Sequence, residues 1–456
     1  MIKKYRILGE KDEIMNGNDK IDFGNEKVWK ILCKLAPPVM FAQLIQALYN
    51  IVDSLYIGRY SEEGLTALSI LYPIQLLMIA LAVGTGVGMN TYMARLNGLG
   101  EHKESKEVAG VGSVLAFIMW ILFAVIGTII MPGYARMSTS SDTVIELVIT
   151  YGTIVCIFSI GLFMESIWTK VLQATGNMKV PMIAQVVGAI VNIVLDPIFI
   201  FGYLGMPEMG IKGAAIATVI GQMVAAIIVG IHGFYKPPKL SKFIPHIKHI
   251  YLDGIPNILM QSAYTIYILG LNLILQTFSD QAVTALGLYY KWQTFFFIPL
   301  GGLQTCIVPI LSYNYATGAV DRCKKVLWNS FVFGFLFMMI GVICFEGIPT
   351  QMLQIFSKDQ EVIQIGTRGF RLIGLSFIPM VISLIFPVFY QALGLGFKSM
   401  ALTVIRTMVL FVPVGYLLSF IGLDYFWLTF PITETVTAIV GFLFYKDFLK
   451  KNPITA

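Results

Sequence analysis

Apolar positions along the chain gather into long runs separated by short polar stretches, and a run of roughly 20 such residues is what a helix needs to cross the hydrocarbon of a bilayer. Twelve runs meet that length, at 31–58, 66–95, 107–132, 143–172, 179–203, 211–235, 250–278, 283–313, 325–348, 361–393, 398–421 and 425–446. The pattern predicts twelve membrane-spanning helices. The first 27 residues, with "KKYRILGEKDE", are polar and lack the short apolar core of a cleavable signal, so 1–27 and 449–456 are expected to be cytoplasmic tails.

Polar loops orient the bundle. The loop after the sixth run, "YKPPKLSKFIPHIKH", holds Lys236, Lys239, Lys242 and Lys248 and no acid, and the loop after the eighth holds Arg322, Lys324 and Lys325. Basic loops stay on the cytoplasmic side. The loops after runs one, three, five, seven and eleven carry few basic residues, so both termini are expected inside.

A shift of 218 residues lays Tyr60–Gln75 on Phe278–Gln293, matching Thr66, Ala67 and Leu68 to Thr284, Ala285 and Leu286. The same shift pairs Pro38 with Pro256 and "QATGNMKVPM" (Gln173–Met182) with "QALGLGFKSM" (Gln391–Met400). One offset therefore holds over a long stretch, which is the mark of an internal repeat. The expected fold is an all-α polytopic membrane protein with two pseudo-symmetric six-helix lobes, an N-lobe at 28–235 and a C-lobe at 250–448, joined by a basic linker at 236–249. Because six is even, the halves are parallel repeats about an axis along the membrane normal. Such a plan suits alternating access, with substrate in a cleft between the lobes.

Composition agrees: 57% of residues are hydrophobic, 13% are charged and mean hydropathy is +0.76, far from the balance of a soluble globular protein. The net charge of +6 is scattered among loops, with no basic stripe, so no nucleic-acid partner is expected. Cys33, Cys156, Cys306, Cys323 and Cys344 are dispersed, without CxxC spacing, and His102, His232, His246 and His249 lie in or beside polar loops. Neither a zinc site nor a disulfide framework follows from them, and no His/Asp/Glu or Ser/His cluster suggests an enzyme. Aromatics at 13% and 22 methionines, as in "KWQTFFFIP", suit either ordinary packing and lipid contact or an adaptable pocket for flat apolar cations.

Ionisable residues within the spans are the candidates for function, because a charge at the bilayer centre costs about 2.5–3.5 kcal/mol on insertion scales. Five stand out: Asp53, Asp196, Lys291, Arg406 and Glu434. The repeat maps Asp53 to Leu271 and Asp196 to Val414, so these aspartates belong to the N-lobe alone. Counting helical rise from the outer boundaries at Arg59, Gly202 and Lys212 puts Asp53, Asp196 and Thr218 in one layer about 9 Å below the surface. Asn192 and Asp196 share a helix face at i, i+4, and Pro197, lacking an N–H, frees the carbonyl of Ile193. These hard oxygen ligands suit a proton or Na+ and not a transition metal; the alternative is that they only hydrogen-bond neighbouring helices. Arg406 and Glu434 are expected to pair with each other or with backbone. Lys291 is expected either to line the cleft or to snorkel to the headgroups, and Glu165, near the inner end of span four, carries no assigned role.

Taken together, "PPVMFAQLIQALYNIVDSLYIG", "LQATGNMKVPM", "VNIVLDPIFIFG", "GIKGAAIATVIGQ" and "FPITETVTAIV" resemble the multidrug and toxic compound extrusion (MATE) family over nearly the whole chain. The resemblance implies a plasma (inner) membrane antiporter, not an enzyme, that exports cationic or amphipathic drugs in exchange for H+ or Na+. A monomer with no cofactor beyond the coupling ion is expected, in contact with membrane lipids. The family's N-lobe ion site corresponds to Asp53, Asn192, Asp196 and Thr218, and its helix-bending proline to Pro38. The acidic residue of the NorM-like branch is missing from "GIPNILMQSAYTIYILGLNLILQ" in the seventh run, which places the likeness nearer the DinF-like branch. Glu434 resembles a glutamate common in the family's twelfth helix. The rival within transport is a lipid-linked oligosaccharide flippase of the same broader superfamily. It would line its cleft with several basic residues, and only Lys291 and Arg406 are candidates.

Overall fold

The computed structural model describes residues 22–451, which form helices with no strand among the described residues. In chain order these are α1 (Val28–Tyr60), α2 (Glu62–Gly98), α3 (His102–Ser138), α4 (Asp142–Ile157 and Ile160–Ala174), α5 (Lys179–Phe201) and α6 (Ile211–Gly233). The second half runs α7 (Phe243–Gln276), α8 (Asp280–Phe296 and Ile298–Ala316), α9 (Val320–Gly347), α10 (Gln360–Gly374 and Phe377–Ala392), α11 (Gly396–Ser419) and α12 (Thr429–Lys451). Nine of these are single helices long and apolar enough to cross a membrane, and the three two-part ones, α4, α8 and α10, bend by 45°, 51° and 57°.

The repeat reaches into the helix ends. The hydroxyl of Ser61 accepts the N–H of Gly64 at the start of α2, and Ser279 does the same for Ala282 at the start of α8. Ser141 caps Val144 in α4, and Asp359 caps Glu361 and Val362 in α10. Each pair stands 218 residues apart, and each cap satisfies an N–H left orphaned by the helix start, for about 1 kcal/mol. The bends of α4 and α10 fall at equivalent places too. Two spans contain π-helical segments, Phe123–Gly127 in α3 and Ile405–Phe411 in α11.

Buried side chains form two principal clusters, one per lobe, with an exchange at one face. The first residues of α1, Ile31, Leu32, Leu35 and Ala36, pack into the C-lobe cluster, while Ile250 of α7 packs into the N-lobe cluster. Part of the expected linker 236–249 is accordingly helical: α7 starts at Phe243, since His246 and Ile250 bury against the N-lobe and Tyr92 stacks near His246 and His249. Lys242 adds an ion pair to Glu107 at 2.6 Å. Of the expected tail 1–27, residues 1–21 lie outside the described residues. Phe23 is buried on the C-lobe, its carbonyl accepting from Asn314 Nδ2 at 2.9 Å and Arg322 Nε at 2.8 Å. In the other tail, 452–456 lie outside the described residues.

At this same face α2 crosses α7 in near-backbone contact. A Cβ on Gly88 would stand 2.1 Å from the carbonyl oxygen of Ile250, so only glycine fits. About two turns further along α2, Arg95 Nη2 donates to Asp253 Oδ2 at 3.3 Å, tying the lobes together. Away from this closure the lobes diverge around a cavity.

Candidate functional site

The N-lobe group is assembled by α1, α5 and α6. α5 and α6 approach closely because Gly188 and Gly221 face one another, a Cβ on Gly188 lying only 2.8 Å from the Gly221 carbonyl oxygen. That approach puts Asn192 beside Thr218, whose hydroxyl Oγ1 lies 3.5 Å from Asn192 Nδ2; the same amide nitrogen donates to Asp196 Oδ1 at 3.2 Å. Asp53 of α1 neighbours Asp196 in this group. The four residues expected from the sequence thus come together.

Donors run short in this group. Asp196 is fully buried, and Asp53 Oδ1, Asp196 Oδ2 and Asn192 Oδ1 are all buried without a hydrogen-bond partner among the described residues. Buried oxygens in that condition demand a proton or a cation, because the desolvation cost of each is otherwise uncompensated. Pro197 lies within α5, directly after Asp196. No group of three or more His, Cys, Asp or Glu is placed to hold a metal among the described residues.

Further along the lobe a cavity of about 90 Å³ runs from Asn192 and Thr218 to Glu165 and Gln185. Glu165 accepts from Thr169 Oγ1 at 2.9 Å and Gln185 Nε2 at 3.4 Å, so it belongs to the interior of the lobe. Sequence reasoning gave it no role. The signal was the spacing of Glu165 and Thr169 on one face of α4, but it named no partner on α5.

The C-lobe charges pair as expected. Arg406 Nη2 donates to Glu434 Oε1 at 2.6 Å, and Nε donates to both carboxylate oxygens at 3.1 Å. Ser383 donates its hydroxyl to Glu434 as well. Phe411 and Tyr267 flank the guanidinium, with ring centroids 5.1 and 5.8 Å from its carbon. Lys291 is exposed, sits 5.2 Å from the centre of the Phe356 ring, and is absent from the wall of the larger cavity. Pro38 and Pro37 lie inside the unbroken helix α1. Asp253 was the acid the sequence reading missed in the seventh span: it falls inside the expected run 250–278 but one residue before the stretch "GIPNILMQ", and it lies within α7.

Between α2 and the helices α7, α8, α10 and α11 lies the larger cavity, about 710 Å³. Its size suits a drug-sized molecule.

The MatE family model matches residues 38–198 and again 256–417, and the two matches begin at the repeat-related Pro38 and Pro256. Among curated relatives, the FAD transporter of Shewanella oneidensis is 23% identical over 420 residues, covering 90% of this chain and 93% of that protein. The multidrug export protein MepA of Staphylococcus haemolyticus is 25% identical over 431 residues, covering 92% and 93%. Among solved structures, a MOP superfamily transporter from Pyrococcus furiosus superposes with a TM-score of 0.88 at 23% identity, covering 96% of this chain and 99% of that one. The Vibrio cholerae MATE transporter VcmN gives 0.88 at 20% identity, covering 93% and 97%. These structures share the two-lobed fold, and because the family model covers both lobes, the chain belongs to the MatE family of multi-pass membrane transporters of the multidrug-efflux type and is not an enzyme.

Proposed function

We propose that the protein is a secondary active antiporter of the plasma (inner) membrane that exports amphipathic compounds, cationic ones among them, in exchange for H+ or Na+. The observation that carries this reading is the cluster of donor-starved buried oxygens on Asp53, Asn192 and Asp196 beside Thr218. Such a cluster suits a small cation, and the 218-residue shift puts Leu271 and Val414 in place of its two aspartates, which favours a site over a packing device shared by both lobes.

The basic loops after α6 and α8 put the closed face, where Arg95 meets Asp253, on the cytoplasmic side, with both termini there. The described conformation is then outward-facing. Residues 28–235 and 250–448 move as two lobes within one monomer, with the short extended segment after α6 as the flexible part of the link. An ion entering the Asp53/Asp196 group changes the packing of α1 around Pro38 and drives substrate out. The lobes rock to the inward-facing state, where the ion leaves and substrate enters. A lipid-linked oligosaccharide flippase fits less well, since among the described residues Arg406 is the one basic residue on the larger cavity wall.

Purified protein in proteoliposomes, with pH and Na+ gradients imposed separately, tests the reading. One of the two gradients drives export in the wild type. The Asp53→Asn, Asp196→Asn double variant should insert and melt like the wild type yet show no gradient-driven export. Wild-type export by that variant sinks the proposal.

A further inference from the structure

The two cavities are equivalent under the internal repeat. The 218-residue shift carries Gln46, Glu165, Gln185, Gly188 and Ala189 of the smaller one onto Tyr264, Ser383, Thr403, Arg406 and Thr407, all of which line the larger. Their polarity is reversed. The acidic group on the N-lobe wall is Glu165, and at its equivalent place the C-lobe has only the hydroxyl of Ser383. The C-lobe instead puts a guanidinium, Arg406, where the N-lobe has Gly188.

Glu434 neutralises Arg406 in total charge but not in direction. The carboxylate is fully buried behind the wall and does not line the cavity, so the ion pair presents its positive end to the space and its negative end to the protein. Nε and Nη2 are turned to Glu434, and Nη1 makes no hydrogen bond to protein among the described residues. Phe411 and Tyr267 hold the plane of the group, and the π-helical turn at Ile405–Phe411 projects it inward; such turns occur often at functional sites. A substrate cation entering here meets a like charge and no carboxylate on the wall. A carboxylate or phosphate meets a preorganised donor of the kind that recognises planar oxyanions, and the rest of the wall, from Leu76 and Leu77 to Ile268 and Leu269, accepts an apolar body.

We infer that the C-lobe cavity is a binding site for amphiphiles with an anionic head, docked on Arg406, while the N-lobe group is kept for the cation. This rests on the export reading above and narrows its amphipathic cargo.

Two xanthene dyes of opposite charge, fluorescein and rhodamine 6G, test it by fluorescence polarisation with the protein in phosphatidylcholine nanodiscs. Fluorescein should bind about tenfold more tightly, a difference of about 1.4 kcal/mol. The Arg406→Met, Glu434→Met double variant removes both charges at similar volume and should abolish that preference. Asn272→Asp leaves the pair intact and adds a carboxylate to the wall, so it should weaken fluorescein and strengthen rhodamine 6G even if the double variant fails to fold. Equal affinities in the wild type, or unchanged affinities in Asn272→Asp, overturn the inference. Repeating the measurement with phosphatidylglycerol in the nanodisc separates two sources of the anion: competition assigns the head to a membrane lipid, and its lack assigns it to a water-soluble compound. Fluorescein preference retained in Asp53→Asn, Asp196→Asn separates this site from ion coupling. Loss of preference with gradient-driven export intact leaves the antiporter and removes the anion site.

Discussion

Asp196 has no exposed surface and one oxygen without a donor, so its state is set by what binds it. Replacing the carboxyl by an amide puts an N–H donor in place of one oxygen, among neighbouring oxygens that lack donors, and keeps the shape. Asp196→Asn should therefore leave the melting temperature within a few degrees while gradient-driven export in proteoliposomes falls to the vesicle background. Arg406 and Glu434 behave in the opposite way, because removing one partner strands the other's charge in the membrane interior. Glu434→Ala should cost about 3–5 kcal/mol, seen as a large drop in thermal stability in detergent, and the paired Met substitutions should recover most of it. The N-lobe residues were legible because i, i+4 spacing on α5 and equal depth from helix ends need no tertiary knowledge. Glu165 was not, since its importance comes from Gln185 on a different helix, and neither was the reversed polarity of the cavities, which appears only once both walls are known.

Among the elements, run length alone was enough to find the spans, because crossing hydrocarbon sets a minimum of apolar residues whatever the packing. The bends of α4, α8 and α10 were hidden: the break at Phe158–Ser159 has neither proline nor glycine, and the turn there is set by neighbours. The early start of α7 was hidden for a related reason, as a basic sequence reads as loop until Ile250 and His246 find a surface to bury against. Helix crossings make a sharper test. At the α5–α6 contact, Gly188→Val would drive methyl groups into the Gly221 carbonyl, pushing Asn192 away from Thr218. Overpacking of this kind costs about 1–3 kcal/mol. The variant should still insert, and should need a markedly larger ion gradient for half-maximal export. An unchanged gradient dependence would show that the α5–α6 spacing does not tune the ion group.

For the whole molecule, the exchange of ends between lobes matters most. The start of α1 packs in the C-lobe cluster, α7 begins on the N-lobe, and Arg95 bonds Asp253 across the seam, so closure at this face is built from contacts that an inward-facing state must break. Arg95 and Asp253 lie 158 residues apart in the chain, which is why nothing in the sequence paired them. Asp253 is largely buried and Arg95 partly so, and a hydrogen bond between charged groups contributes about 1.5–3 kcal/mol. Since the opposite state lacks this bond, the whole of that energy acts on the equilibrium between the two, and its loss shifts the populations by roughly ten- to a hundredfold. Arg95→Gln should thus populate a conformation open at this face without unfolding either lobe, whose cores do not involve the pair. Spin labels on Lys103→Cys and Thr317→Cys, both at this face, read the outcome: the wild type should give one short distance, and Arg95→Gln a second, longer one. A single unchanged distance would mean that the glycine-mediated α2–α7 crossing closes the face alone, and Gly88→Leu, which cannot keep that crossing, would then have to open it.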